Sequence, residues 1–260
     1  MHRPYLLIPL ALVAMVAGAA LAAAPAPGTP DASPQAWASD AGPVIRAYLL
    51  EHPEVVREAL EVLQQRDALA EAEAARKNLA LHHDALFVDA DAPVLGNPAG
   101  DVTVVEFFDY HCGYCKRSAP ALSALLASDP GVRVVMKEFP ILGPDSVLAA
   151  RSALAAGRQG RYQAFHDAMF SAEQLDPAGI EAIAVALGLD MDRFRRDRDD
   201  AATAAMLDNN AAVAAALGIQ GTPAFIVGDQ LVPGAVDANT LAALVQAVRI
   251  KHSLSAEDPS

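Results

Sequence analysis

Cys112 and Cys115 are the only cysteines in this 260-residue chain, and they stand three residues apart in FFDYHCGYCK, residues 107–116. The preceding run, Asp101 to Phe108 (DVTVVEFF), is β-branched and aromatic and reads as a buried strand. The following run has helical spacing. A C-x-x-C pair where a strand enters a helix suits thiol–disulfide exchange. Three residues apart on a first helical turn, two sulfurs can come within bonding distance. Cys112 would sit at the helix N-terminus, where free N–H groups and the helix dipole favour the thiolate, the attacking species. Cys115, one turn further in, is expected to be less exposed and to resolve the mixed disulfide by attacking Cys112. Two other readings stand beside this one. An inert disulfide would constrain almost no chain entropy across two intervening residues. Half a metal site would draw its further ligands from His82, His83 or His111.

A second motif lies far along the chain. Gly221-Thr222-Pro223-Ala224-Phe225 opens a late strand, and proline at a first strand position costs no ladder bond. A cis Thr222–Pro223 bond would make the turn tight and leave the Thr222 backbone open to a substrate peptide. Glu106 is a carboxylate inside VVEFF; burial raises its pKa and makes it a candidate proton carrier. The alternative is a buried ion pair between Glu106 and Lys137.

The elements that must position these groups follow from the pattern. Val132 to Phe139 is a second strand, so residues 101–139 form a strand–helix–strand unit with a parallel crossover. Leu148 to Leu217 is almost wholly helical. Ala224 to Val227 and Gln230 to Val232 form a hairpin through Gly228-Asp229, and a last helix spans about Asn239 to Lys251.

The strand–CxxC–helix segment, the helical insertion and the late GTPAF resemble the DsbA-like family of periplasmic thiol–disulfide oxidoreductases, over about Ala92 to Lys251. The resemblance implies an α/β thioredoxin fold with the helical insertion at about 145–217 and a cis Pro223 facing the cysteines. It also implies that Glu106 helps move the proton of Cys115, and that Gly113, Tyr114, Thr222 and Pro223 contact substrate. The pair Gly113-Tyr114 departs from the Pro-His of the oxidases and looks like that of dimeric isomerases. The sequence LLEHPEVVREALEVLQ resembles the suppressor-of-copper-sensitivity type, whose members with a long N-terminal region include trimeric isomerases that bind copper(I). Cys112 and Cys115 are then the only candidates for copper(I), which suits soft thiolates. No other cofactor is implied beyond the redox-active pair itself.

The N-terminal residues carry their own signals. Arg3, an uncharged stretch from Leu6 to Ala24 and Ala20-Leu21-Ala22 read as a signal peptide over 1–22, with an uncleaved membrane anchor as the competing reading. Residues 23–40 are proline-rich and read as an extended linker, with Trp37 docking elsewhere or packing on the next helix. Residues 41–88 read as an amphipathic helical region, with Asp40 as cap, Pro43 in the first turn and a break at Glu51-His52 before Pro53. Two columns, Tyr48-Val55-Val62-Leu69 and Leu49-Val56-Leu63-Ala70, make a broad apolar stripe. The stripe is read as an oligomerisation region, a trimer by resemblance; the plainer alternative is a helix lying on its own domain. A thioredoxin-like domain is expected over 89–251 and a flexible tail over 252–260.

Composition bounds the partners. A net charge of −13 without a basic cluster disfavours nucleic acid. Two cysteines exclude a disulfide-stapled mini-fold and a four-cysteine zinc ribbon. The expected partners are cysteine-containing exported proteins and a membrane thiol reductase or oxidase, in the periplasm. A monomeric dithiol oxidase and a copper(I)-binding protein are the rival functions.

Overall fold

The structure is a computed structural model that describes residues 34–257, with side chains from 41 to 255. The expected signal peptide, most of the linker and the Trp37 side chain lie outside the described residues. The chain divides into two compact units, 1–64 and 65–260.

In the first unit, helix α1 (Pro34–Glu51) is followed after His52 by the start of helix α2 (Pro53–Leu81). The break before Pro53 is as expected: Pro53 has no N–H to give, and its ring clashes with the carbonyl four residues back. The start of α1 is a correction. Residues 34–40, expected as extended linker, are helical, so Asp40 is no cap and Pro43 lies inside the helix. Ala36, Ala38 and Ala41 favour helix locally, against the one bond Pro43 removes. Val44, Tyr48, Val56, Leu60 and Leu63 are exposed along these helices.

The second unit begins inside α2, at Gln65 rather than after residue 88. The reason is packing: Leu79 and Leu86 are buried among Val105, Phe107, Val135 and Ile226. A π-helical turn, Asp84–Val88, follows α2 and carries Leu86. The sheet then forms from β1 (Val94–Gly96), β2 (Val102–Phe108), β3 (Val132–Glu138), β4 (Ala224–Val227) and β5 (Gln230–Pro233). Its order is β1-β3-β2-β4-β5, with β2 and β3 parallel and the other neighbours antiparallel. β1 was not anticipated; three residues on a sheet edge are too few to show a period.

Helix α3 (Gly113–Ser128) is the crossover between β2 and β3. Between β3 and β4 come α4 (Pro144–Gly157), α5 (Tyr162–Ser171), α6 (Pro177–Ala186), α7 (Met191–Asp199) and α8 (Ala201–Ala216). Asp176, Asp190 and Asp200 cap the last three, each accepting a backbone N–H of its first turn. Helix α9 (Ala238–Glu257) closes the unit. It runs into the expected flexible tail as far as Glu257, with the Ser253 and Ser255 hydroxyls donating to the carbonyls of Ile250 and Lys251. Residues 258–260 lie outside the described set.

Both faces of β2 are covered, which explains its unbroken apolar run. Val104 and Phe108 face the core built with α3, α4, α5 and α9. Val105 and Phe107 face the smaller core that holds Leu79, Leu86 and Val213 of α8.

Candidate active site

Period-two alternation puts Glu106 on the same face of β2 as Val104 and Phe108, pointing toward the larger core. The parallel register pairs Glu106 with Met136 and Phe107 with Lys137. Glu106 and Lys137 therefore lie on opposite faces, and the ion pair between them considered above does not form. Lys137, fully buried, is bonded instead to Asp89. Glu106 is left in apolar surroundings, and burial pushes its carboxyl up to about 8.

The strand delivers the chain into a turn held by Asp109. Its carboxylate accepts the amides of His111, Ile141 and Leu142 at 2.8, 2.9 and 3.1 Å, and its carbonyl accepts the amide of Cys112 at 3.0 Å. Cys112 is the N-cap of α3, and its carbonyl takes the first helical bond from Lys116. Gly113 and Tyr114 are exposed beside it, and Arg117 lies over the Tyr114 ring at 4.2 Å.

The Thr222–Pro223 bond is cis. The Cys112 thiol donates to the Thr222 carbonyl, with Sγ 3.2 Å from the oxygen. The two cysteines are free thiols, not a disulfide. Their environments differ in the direction that exchange needs. Burial opposes a Cys112 thiolate, but hydrogen bonds from the Thr222 side chain, from Cys115 and from the Tyr114 backbone outweigh it and lower the pKa. Cys115 is fully buried, and its pKa is pushed well up by burial, with the charges of Cys112 and Glu106 adding to the effect. The chain thus brings together Cys112, Cys115, Thr222 and Pro223, with Glu106 within electrostatic reach.

Sequence reasoning missed a buried polar cluster on the same sheet face. Glu138 Oε1 accepts from the Tyr162 hydroxyl at 2.7 Å and lies 3.5 Å from that of Tyr110. The Tyr110 hydroxyl is 3.0 Å from His166 Nδ1. Burial holds the Glu138 carboxyl well above the usual range, and it holds His166 down at about 4, so that His166 is neutral at pH 7. The signal was present in Lys137-Glu138, two charges side by side in an apolar strand, each needing its own partner.

The resemblance to copper(I)-binding relatives is testable on the donor set. Among the described residues, no group of three or more His, Cys, Asp or Glu side chains could hold a metal. Two neighbouring soft sulfurs fit a low-coordinate copper(I), and nothing larger. Among the same residues, no helix is long and apolar enough to cross a membrane.

Comparison with known proteins bears on this geometry directly. The DSBA-like thioredoxin domain matches residues 103–246, more than half of the chain. The chain belongs to the DSBA-like thioredoxin family. The N-terminal domain of the copper resistance protein ScsC matches residues 42–70. A thioredoxin-like oxidoreductase from Silicibacter pomeroyi DSS-3 is 47% identical, covering 64% of this chain and 96% of that one with a TM-score of 0.62. A linker-deletion mutant of Proteus mirabilis ScsC is 29% identical over 86% of this chain and 100% of its own, with a TM-score of 0.63. Among curated relatives, the Na(+)/H(+) antiporter NhaA 3 of Salinispora tropica is 34% identical over 162 residues, 61% of this chain. The match spans only 25% of that antiporter. The fold is therefore a thioredoxin fold with helical additions, of the thiol–disulfide oxidoreductase type.

Proposed function

We propose that this protein is an exported, oligomeric disulfide isomerase of the periplasm. Cys112 attacks a wrong disulfide in an exported substrate, Cys115 releases the mixed disulfide, and Glu106 in its ionised form takes the Cys115 proton. Thr222 and Pro223 seat the substrate chain, with Gly113 and Tyr114 on the rim. The observation that carries the chemistry is the asymmetric pair: Cys112, lowered and 3.2 Å from the Thr222 carbonyl, beside Cys115, buried and raised.

The isomerase reading adds the N-terminal helices. Val56, Leu60 and Leu63 fall at helical spacing and are 45, 54 and 52% exposed, and the match to the ScsC N-terminal domain supports their burial against copies of the chain. A trimer is the favoured assembly. Several catalytic faces around one cavity raise the effective concentration of a misfolded substrate. A membrane thiol reductase would keep the pair reduced. A monomeric dithiol oxidase is the second reading, favoured by the wider DSBA-like match. Copper(I) would be held by Cys112 and Cys115, the sulfurs that carry out exchange, so metal binding and exchange would exclude one another. Copper(I) binding as the main role is the third reading, which the ScsC match favours.

The test joins mass measurement to refolding of scrambled ribonuclease. The pair of substitutions Val56→Lys and Leu63→Lys should give a monomer that still reduces simple disulfides but loses reshuffling. A monomeric variant that reshuffles as well as the parent sinks the isomerase reading. A parent that is itself monomeric and only oxidises points to the second reading.

A further inference from the structure

Glu138 is a buried acid for which the exchange chemistry has no task so far. Across the parallel β2–β3 ladder, Glu138 pairs with Phe108 and Glu106 with Met136. Paired residues share a face and alternate ones return to it, so Glu138 and Glu106 lie on the same side of the sheet. They are one strand over and two residues on from each other, which sets their Cα atoms about 8 Å apart. Long side chains close such a diagonal. Both are buried, at 3% exposure for Glu106 and 1% for Glu138.

The two oxygens of the Glu138 carboxyl are not alike. Oε1 accepts the Tyr162 hydroxyl at 2.7 Å and lies 3.5 Å from that of Tyr110. Oε2 is fully buried and has no partner among the described residues. In a neutral carboxylic acid the accepting oxygen is the carbonyl one, so the proton of a neutral Glu138 is on Oε2. Tyr162 alone decides this, whichever of Glu138 and His166 takes the Tyr110 proton. A buried O–H donor calls for an acceptor.

The groups around Glu138 oppose its ionisation. Burial is the largest cause, the charges of Asp109 and Glu106 add to it, and the hydroxyls of Tyr162 and Tyr110 relieve only part. His166 of α5 stands beyond Tyr110 and is neutral at pH 7. Asn210 of α8 bonds the Glu138 main-chain carbonyl at 3.0 Å. Lys137 is on the opposite face with Asp89. The Glu106 charge also reaches Cys115 on α3. Two neighbouring buried carboxyls do not both ionise; they titrate as a pair.

We propose that Glu138 is a positioning residue for proton transfer at Cys115: it stays protonated, and its Oε2–H donates to the Glu106 carboxylate. The proposal rests on the disulfide-exchange reading and gives Glu106 the partner that reading lacks. The pair holds one proton when Glu106 is ready and two once it has acted. In the mixed disulfide the Cys115 Sγ proton passes to Glu106, and the thiolate attacks Cys112 Sγ. The Cys112–Cys115 bond forms as the bond from Cys112 to the substrate breaks, and the substrate sulfur leaves as a thiolate. One disulfide replaces another, so no outside oxidant or reductant takes part. The proton stays on Glu106 until Cys115 is reduced again.

The test mixes the reduced full chain with 5,5′-dithiobis(2-nitrobenzoate) in a stopped-flow cell. One equivalent of coloured thiolate appears with the Cys112 attack and a second with release by Cys115. Glu138→Met keeps the length and removes the donor. It should slow the second phase about tenfold at pH 7, and more than the first, and move the pH midpoint of that phase up by about one unit, because a lone buried carboxyl ionises less readily. Glu138→Gln keeps a donor and should recover most of that loss. A merely structural role would slow both phases alike and leave the midpoint in place. A midpoint that stays or falls in Glu138→Met overturns the proposal. If Glu138→Met does not fold, infrared titration of the reduced parent from pH 6 to 9.5 decides. One protonated-carboxyl band should vanish and a second, absent from Glu138→Gln, should shift; no shift of a second band overturns the proposal. Glu106→Gln with an unchanged second phase overturns the Glu106 assignment and the pair with it. A slowed Glu106→Gln beside an unaffected Glu138→Met overturns the pair alone.

Discussion

Replacing Glu106 by glutamine should stabilise the reduced protein at neutral pH. The carboxyl is raised from 4.5 to about 8 by burial. Above pH 4.5 the unfolded chain ionises Glu106 while the folded chain keeps the proton until about pH 8. Folding stability is therefore whole below 4.5 and is lost as pH rises through that window. At about 1.4 kcal/mol per pH unit, the loss reaches about 3 kcal/mol at pH 7 and levels near 5 kcal/mol above pH 8. Glu106→Gln has no such titration. Urea unfolding of both reduced proteins at pH 4, 7 and 8.5 should show the variant gaining on the parent by those amounts. A stability difference that does not change with pH would refute the reasoning. The same substitution should slow release of the mixed disulfide near neutral pH more than the first attack, because the proton concerned belongs to Cys115. The buried acid would then cost stability and be kept for kinetics.

Three further outcomes follow from other residues. Cys115→Ser should trap mixed disulfides on non-reducing gels and Cys112→Ser should not, because only Cys112 sits at the helix end with a lowered pKa; equal trapping would reverse the assignment. Asp89→Asn should cost about 3 kcal/mol in urea unfolding at pH 7, since it leaves Lys137 buried without its partner. Asp89 has a lowered pKa, so its contribution is present above 3.8 and the cost should shrink as pH falls through the folded value. Tyr162→Phe should cost about 1–3 kcal/mol by urea unfolding, because Glu138 Oε2 already has no partner and Oε1 would keep only the long contact to Tyr110.

What was legible in the sequence was whatever the local pattern determines. DVTVVEFF and VRVVMKEF had only one plausible element type, and Cys112, Cys115 and Thr222-Pro223 announced themselves by spacing. The partner of Lys137 was not legible. It depends on the β2–β3 register, and a slip of one residue moves a side chain to the other face. Asp89 lies 48 residues away and outside any strand. The role of Asp109 was not legible either, because two of the three amides its carboxylate accepts come from residues 141 and 142. The start of the second unit was hidden for a similar reason: α2 has one helical pattern throughout, and only contact with Val105 and Phe107 shows that Leu79 belongs to the thioredoxin core.

The Asp109 carboxylate has a mechanical consequence. With one oxygen on His111 and the other on Ile141 and Leu142, it clamps two loops that meet at the active-site rim. Neither loop can swing without giving up a charge-assisted bond. When the sulfurs pass between dithiol, mixed disulfide and disulfide, the surrounding frame is then the fixed jig and the cysteine side chains are the moving parts. Each catalytic cycle would begin from the same geometry in which the last one ended.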